Sequence, residues 1–428
     1  MFVTMRFYNL VMKSFIVFIF LAFITKACLG QFGWHQQNSG TTNGLFGVSF
    51  PSRDTGWIAA SGGIALRTID AGLHWTQVSV PDPQGVTCIA AIDSKTAWCS
   101  DGYSSSGTIF FTNDGGQSWT AKRADTLNNG VSAITFLTKD TGFAVAGNAF
   151  LKTTNGGQIW AEYLIGGFSG LDAINFLDTK NGMAAGGGII FRFINGGPGR
   201  LVQQEPLFSK MSFYGCCLVT QSREFAVGNT DQPSSAVIVR STDGGSSWEK
   251  AKLPDGLSSN EILFGISFPD SLHGTVTGYF GLILKTTDGG DTWVKQESGV
   301  TVGLSSVSFI DSLTGTIVGG DGTILRTTSG GKSWVRQYLP LPLSVCAIPE
   351  PFATKTTLSY SIPKAASVSV KFYDVLGKEV YHISSGGIQS EGAHTLEISG
   401  EHLAGGTYYF VLIAGEFNGV GKVTKISP

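Results

Sequence analysis

Residues 285–293 read KTTDGGDTW, and the same phrase returns six more times in varied spelling: RTIDAGLHW (67–75), FTNDGGQSW (111–119), KTTNGGQIW (152–160), RFINGGPGR (192–200), RSTDGGSSW (240–248) and RTTSGGKSW (326–334). Aligned on the fourth residue (Asp70, Asp114, Asn155, Asn195, Asp243, Asp288 and Ser329), the phrases follow one another at intervals of 44, 41, 40, 48, 45 and 41 residues. A repeat of this length matches one four-stranded blade. Within the phrase, an Asp or Asn accepts hydrogen bonds from backbone N–H groups two residues on. The glycine two positions later (Gly72, Gly116, Gly157, Gly197, Gly245, Gly290, Gly331) tolerates positive φ, so the segment turns a third strand into a fourth. The closing Trp75, Trp119, Trp160, Trp248, Trp293 and Trp334 then cover the apolar seam between neighbouring blades.

The text between the phrases supplies the other strands. GVSFPSRDTGWIAA (47–60) and its counterparts place a short apolar strand, a turn bearing Asp54, Asp93, Asp140, Asp178, Asp270 or Asp311, and a second short strand before each phrase, and GIALRT, GTIFFT or GLILKT adds a third. No capped pattern of period 3.6 exceeds three turns over 31–338, so the expectation is an all-β, seven-bladed β-propeller over residues 31–338. The fourth unit is degenerate, with Arg200 where Trp is expected, and the fifth carries an insertion around TQSREFAVGNTDQPSS. The opening GWHQQNSG (33–40) resembles WVKQESG (293–299), which predicts an extra outer strand latching the ring near Trp334. A basic residue stands three positions before the aspartate position in six phrases (Arg67, Lys152, Arg192, Arg240, Lys285, Arg326), and such repetition points to scaffolding.

The chain has 428 residues, 58 glycines, 14% charged residues and a formal net charge of −2, which argues against a nucleic-acid partner. Residues 14–24, SFIVFIFLAFI, follow Arg6 and Lys13 and precede TKACLGQF; this reads as a signal peptide over 1–30. The run is short for a membrane span, and Cys28 leaves a lipidated cysteine as the competing reading. Cleavage removes three basic residues and no acid, taking the net charge from −2 to −5. No later segment has 18 uninterrupted apolar residues, so a mature chain without a stable transmembrane segment, a monomer, is expected.

The phrases resemble the Asp-box or BNR repeat, S/T-x-D-x-G-x-T-W, and with F-x-D-x-x-x-G in most units they are similar to the photosystem II assembly factor family and to glycosidase and sortilin-type propellers. The resemblance covers about residues 40–338. It implies a propeller, but Asp boxes in those families lie in peripheral turns of enzymes and non-enzymes alike. Sialidases need three converging arginines, a Tyr/Glu pair and an acid. Here Arg67, Arg192, Arg240 and Arg326 are absorbed by the repeat, and Arg53, Arg123, Arg200, Arg223 and Arg336 lack the contexts of that family. Xyloglucan-cleaving propellers flank the scissile bond with two carboxylates in a cleft between two such domains. The candidate acids outside the repeat include Asp101, Asp172, Glu224, Asp231 and Glu261, each read as a solvated loop residue. No catalytic residue, cofactor or metal site is therefore assigned: each D-G-G turn brings one carboxylate, where calcium takes six or more oxygens.

Cys88 and Cys99 flank the DSKT turn on the first two strands of the second unit, and export permits a disulfide between them, with two buried thiols as the alternative. Beyond a Pro-rich linker at 339–351, residues 352–428 change composition; Val368, Val370 and Phe372 alternate with Ser369 and Lys371, the pattern of a small antiparallel, immunoglobulin-like β-sandwich. This tail resembles the type A sorting domain of the type IX secretion system. The matching residues are Pro351 and Phe352, Pro363 after Ser361-Ile362, Tyr373-Asp374, Gly377-Lys378, Gly392, His394, Gly405-Gly406 with Tyr408, and Lys422; Glu350 stands where the family has Asn. The resemblance implies type IX secretion machinery as a partner and a place outside the cell or on its surface. The expectation is a non-catalytic propeller that binds a protein or glycan through a ring face, with a polysaccharide-active glycoside hydrolase as the alternative.

Overall fold

The computed structural model describes residues 33–426 apart from 83, 101–106, 124–129, 166–169, 197–199, 203–207, 209, 232–233, 258–259, 333–340, 344, 375–378 and 416. The signal peptide, Asp101, Gly197, Trp334, Arg336 and Gly377 with Lys378 lie outside the described residues. Two compact units are present, Gln31–Ser333 and the tail from Trp334.

Over 33–332 the described residues form seven four-stranded antiparallel sheets, each consecutive in sequence except the last. The first strands, Leu45–Ser49, Cys88–Ala91, Val131–Phe136, Leu171–Phe176, Met211–Leu218, Leu263–Ser267 and Leu304–Phe309, pack each on the next and the last on the first, and all seven border one central space. Small residues make this crowding possible. Second strands such as Gly142–Ala146 (GFAVA) and Gly182–Gly186 (GMAAG) are buried along their whole length, with a sheet on either side.

A cross-strand partnership explains the F-x-D-x-x-x-G motif. Phe309 stands opposite Gly315, and Phe176 opposite Gly182. Each ring lies so close over its glycine that an added Cβ would meet it at 2.5 and 2.6 Å, respectively. The glycine excess thus has two sources, turns and seats for aromatic rings.

The N-terminal strand His35–Gln37 pairs with Ile324–Thr327 as the fourth strand of the last sheet, between residues His35 and Arg326 at one end and Gln37 and Ile324 at the other. The start of the chain therefore closes the ring and removes a free sheet edge. Trp34 occupies the corresponding position in the last sheet: it is buried with Phe309 and Ile283 in the seam between the sixth and seventh sheets, and its Nε1 donates to Gln296 Oε1 at 3.1 Å. Trp119, Trp160, Trp248 and Trp293 lie likewise in the seam between their own sheet and the preceding one. The fourth unit has no such Trp, and its seam with the third is filled by Phe143, Phe150, Phe176, Phe191 and Phe193, with Phe143 and Phe176 stacked at 3.6 Å. The insertion in the fifth unit lengthens its first three strands to eight residues each (Met211–Leu218, Glu224–Asp231, Ser234–Ser241).

Several of the repeated basic residues tie one sheet to the next. Lys152 Nζ donates to Gly196 O at 2.7 Å, Arg240 Nη1 to Gly290 O at 2.9 Å and Arg326 Nη2 to Arg53 O at 2.9 Å, each in the following sheet around the ring. Arg192, between the fourth and fifth sheets, pairs with the fully buried Glu224 at 3.2 Å. Glu224 is thus a core residue and not the solvated loop acid that the sequence suggests.

No disulfide joins Cys88 and Cys99. The register sets Cys88 opposite Ser100 and Cys99 opposite Ile89, so the two side chains take opposite faces of the sheet. Cys88 enters the core with Trp98, and Cys99 the core with Trp57. Burial pushes the Cys99 thiol well above its ordinary range, which keeps it protonated.

The tail builds a five-stranded and a three-stranded sheet around one core that includes Phe352, Tyr360, Val370, Phe372, Phe410 and Val423. Two strands of these sheets, Leu341–Pro342 and Val345–Ile348, arise within the stretch read from sequence as a linker, pairing with Phe417–Asn418 and Thr357–Tyr360, respectively. Prolines at 340, 342 and 349 conceal them, since proline suits an edge position as well as a linker. Glu350, which stands where the family has Asn, ties the start of the tail to its last strand: its Oε2 accepts from the Thr424 N–H at 2.8 Å, while Phe352 N donates to Thr424 O at 2.9 Å.

Candidate functional site

The first strands carry an irregularity at the same place in nearly every sheet. Leu45 pairs with Ala60 and Gly47 with Ala59, leaving Phe46 as an extra residue. The same slip isolates Ser132, Asp172, Tyr214, Phe264 and Ser305. In the second sheet Thr87 holds the corresponding place, donating its N–H to Ser100 O, the residue opposite Cys88. A β-bulge bends its strand and re-aims the extra side chain. Here it aims one residue per sheet at the entrance of the central space.

The resulting mouth is a cavity of about 590 Å³ lined by Phe46, Thr87, Ser132, Asp172, Tyr214, Phe264, Tyr279, Gly303, Ser305 and Gly320. Tyr279 comes from the hairpin between the second and third strands of the sixth sheet and meets Phe264 edge-on at 4.7 Å, with Tyr214 on the other side of Phe264 at 5.7 Å. Phe280 extends this aromatic run, its ring 5.9 Å from Tyr279. It is 64% exposed and sits at φ 57°, a left-handed conformation that costs a bulky residue roughly 1–3 kcal/mol. Such strain on an exposed aromatic side chain points to a task at the surface.

Asp172 is the single carboxylate among the described lining residues, and no lysine, arginine or histidine joins it there. Its side chain opens to the mouth, yet the surrounding walls remove enough water that burial raises its pKa. Burial, the leading cause, also raises that of Tyr214, with the charges of Asp172 and Asp231 adding to it.

The Asp-box turns lie at the opposite end of the sheets, because the first and third strands of each sheet run in the same direction, away from the mouth. Their geometry is uniform. Thr286 Oγ1 donates to Asp288 Oδ1 at 2.7 Å and accepts from Gly290 N at 2.9 Å, and Asp288 Oδ1 accepts from Thr292 N at 3.0 Å. The same pattern recurs at Thr68–Asp70–Gly72, Thr112–Asp114–Gly116, Thr153–Asn155–Gly157 and Ser241–Asp243–Gly245, and at Thr327–Gly331 with Ser329 replacing the acid. The carboxylate thus reaches the N–H four residues on, not two, because the threonine hydroxyl takes the glycine N–H. Gly290 is at φ 88°, and a Cβ there would meet the Phe225 ring at 2.5 Å, so glycine is required on both counts.

Hydrogen bonds from the backbone and side chain of His74 hold the Asp70 carboxyl down to about 2, and those from Ser247 do the same for Asp243. At Asp288 burial opposes the shift, but the Thr292 hydrogen bonds prevail and the value falls to about 2. A carboxyl depressed in the folded state stabilises above its unfolded value of about 3.8 and loses that contribution as pH falls toward 2. Thermal unfolding followed from pH 7 to pH 2 is expected to show a midpoint insensitive to these groups above pH 5 and falling below pH 4. Replacing Asp70, Asp243 and Asp288 together by Asn, which nature uses at Asn155, should make that fall shallower; an unchanged acid profile would contradict the assignment.

Of the acids singled out in the sequence, the structure brings Asp172 alone into the mouth; Asp231 and Glu261 are not among the lining residues. Arg53 and Arg223 sit at the other end, pairing with Asp311 and donating to Ser271 O at 2.7 and 2.9 Å. The bulge residues escaped sequence reading, although a signal is present: in LFGVSF, VSAITF, LDAINF, LFGISF and LSSVSF the second position varies in chemistry while its neighbours stay large and small.

A sequence model described as photosynthesis system II assembly factor YCF48 matches residues 30–260 and 255–349, and one described as the secretion system C-terminal sorting domain matches residues 347–425. The photosystem II stability/assembly factor HCF136 of Arabidopsis thaliana chloroplasts is 24% identical over 263 residues, 56% of this chain and 62% of that protein. The chain thus spans less than two thirds of that relative's length. Among solved structures, YCF48 bound to D1 peptide aligns with a TM-score of 0.56 at 18% identity, covering 70% of this chain and 98% of that one. The GH74 xyloglucanase from Xanthomonas campestris aligns at 0.56 with 12% identity, covering 77% and 60%. At these identities the structural likeness shows the fold alone, a β-propeller. The sorting tail marks the chain as secreted or attached at the outer cell surface. Among the described residues no helix is long and apolar enough to cross a membrane.

Proposed function

The chain belongs to the photosynthesis system II assembly factor YCF48 family, and on that premise we propose that it is a non-catalytic binding protein whose mouth takes a segment of a polypeptide partner outside the cell. The seven sheets are then seven blades of one ring over 31–338, residues 1–30 a cleaved leader, and the tail from about 341 an immunoglobulin-like sandwich read by the type IX secretion machinery. The observation that carries the reading is the ring of bulged residues: it concentrates aromatic side chains at one mouth and, among the described lining residues, supplies one carboxylate where glycoside hydrolysis ordinarily uses two, about 5–9.5 Å apart. Aromatic anchors in a concave site are typical centres of binding energy. The relative bound to D1 peptide supports a polypeptide over a glycan.

The test is retention of random twelve-residue peptides, displayed on beads, by the full exported chain. Replacing Tyr214 and Phe280 together by Ser is expected to lower affinity for the retained peptides about tenfold or more, whereas Leu313→Ser, an exposed position at the Asp-box end, leaves it unchanged. Failure to retain any peptide, or glycan turnover abolished by Asp172→Asn, would overturn the proposal.

A further inference from the structure

We propose that the mouth recognises a cationic side chain, arginine foremost, on an extended segment of its polypeptide partner; this rests on the reading of the mouth as a peptide site and specifies what it selects. Asp172 lies in the bulge ring between Ser132 and Tyr214, and the rings of Tyr214, Phe264 and Tyr279 follow it around the same wall, with Phe280 beside Tyr279. Aromatic faces attract a cation through their quadrupole, most strongly where water is thinned out, and a carboxylate beside them completes a cage for positive charge. No basic residue among the described lining residues already fills that cage.

The surroundings carry the same sign. The turns and connections at the mouth end bring Asp82, Asp231, Asp255, Glu261, Glu297 and Asp321 against Lys210 and Lys252 among the described residues. Several of the repeated basic residues are instead committed to ties between sheets at the other end. An anionic guest would be repelled, and a neutral one would cover Asp172 without supplying a counter-charge. Arginine suits the site better than lysine because its planar guanidinium stacks on a ring and forks onto a carboxylate at once. A cavity of about 590 Å³ exceeds one side chain, so flanking residues enter with it.

The experiment sequences the peptides that the full chain retains from the random library. Arginine and lysine together should be enriched about threefold or more over the starting pool, and Asp172→Asn should remove the enrichment. For one retained arginine peptide, replacing arginine by neutral, isosteric citrulline should weaken binding about tenfold without touching the protein, which separates loss of the cation from any change in folding. Equal affinity for the arginine and citrulline peptides, or enrichment that survives Asp172→Asn, would overturn this inference while leaving peptide binding in place. A folded chain that retains no peptide would overturn both.

Discussion

Replacing Trp34 by alanine should lower the stability of the propeller by about 3–5 kcal/mol, the usual cost of removing a fully buried tryptophan. Trp34 is 2% exposed. It meets Phe309 edge-on at 5.8 Å and leads directly into the strand His35–Gln37 that completes the last sheet. Its loss therefore weakens both a core and the joint where the two ends of the ring meet. For a unit of about 300 residues, roughly 2 °C is lost per kcal/mol, so calorimetry should find the unfolding midpoint lowered by about 6–10 °C. A shift under 1 °C would mean that the N-terminal strand does not hold the ring closed.

A second large effect is expected at Arg192. Its guanidinium lies 3.2 Å from Glu224 and also donates to Gln221 O at 3.2 Å. Arg192→Ala would leave a fully buried carboxylate without this cation, at a cost of about 3–5 kcal/mol in denaturant unfolding. Replacing both partners by apolar residues of similar volume, Arg192→Met with Glu224→Leu, should recover most of that loss, because the desolvation of both charges is then avoided. A double variant no more stable than Arg192→Ala alone would show that the deficit arises from packing and not from charge.

The periodic phrase made the architecture legible because every sheet needs the same turn between its third and fourth strands, and few residue types satisfy it. The latch was legible for the same reason, since Trp34 and its following strand repeat the chemistry of Trp293. The tail's first two strands were not, because proline marks edges and linkers alike. Nor was the role of Glu224, whose partner Arg192 looks like any other repeat position until the fold places the two together. The mouth was hidden for a deeper reason. A repeat is recognised by what stays constant, whereas the bulged position serves function by varying, as Phe46, Ser132, Asp172, Tyr214 and Ser305 do. Asp172 reads in sequence as a solvated loop acid; the bulge and the curvature of the ring make it the one carboxylate among the described residues that line the cavity.

The central claim is that binding occurs at the bulge-lined mouth and not at the Asp-box end. Hydrogen exchange of the full chain with and without a retained arginine peptide tests it directly. Protection is predicted at the backbone amides of residues 46–47, 172–173, 214–215, 264–265 and 279–281, with the turns at 70–74, 243–247 and 288–292 unchanged. Protection confined to those turns, with the mouth exchanging as before, would contradict the account.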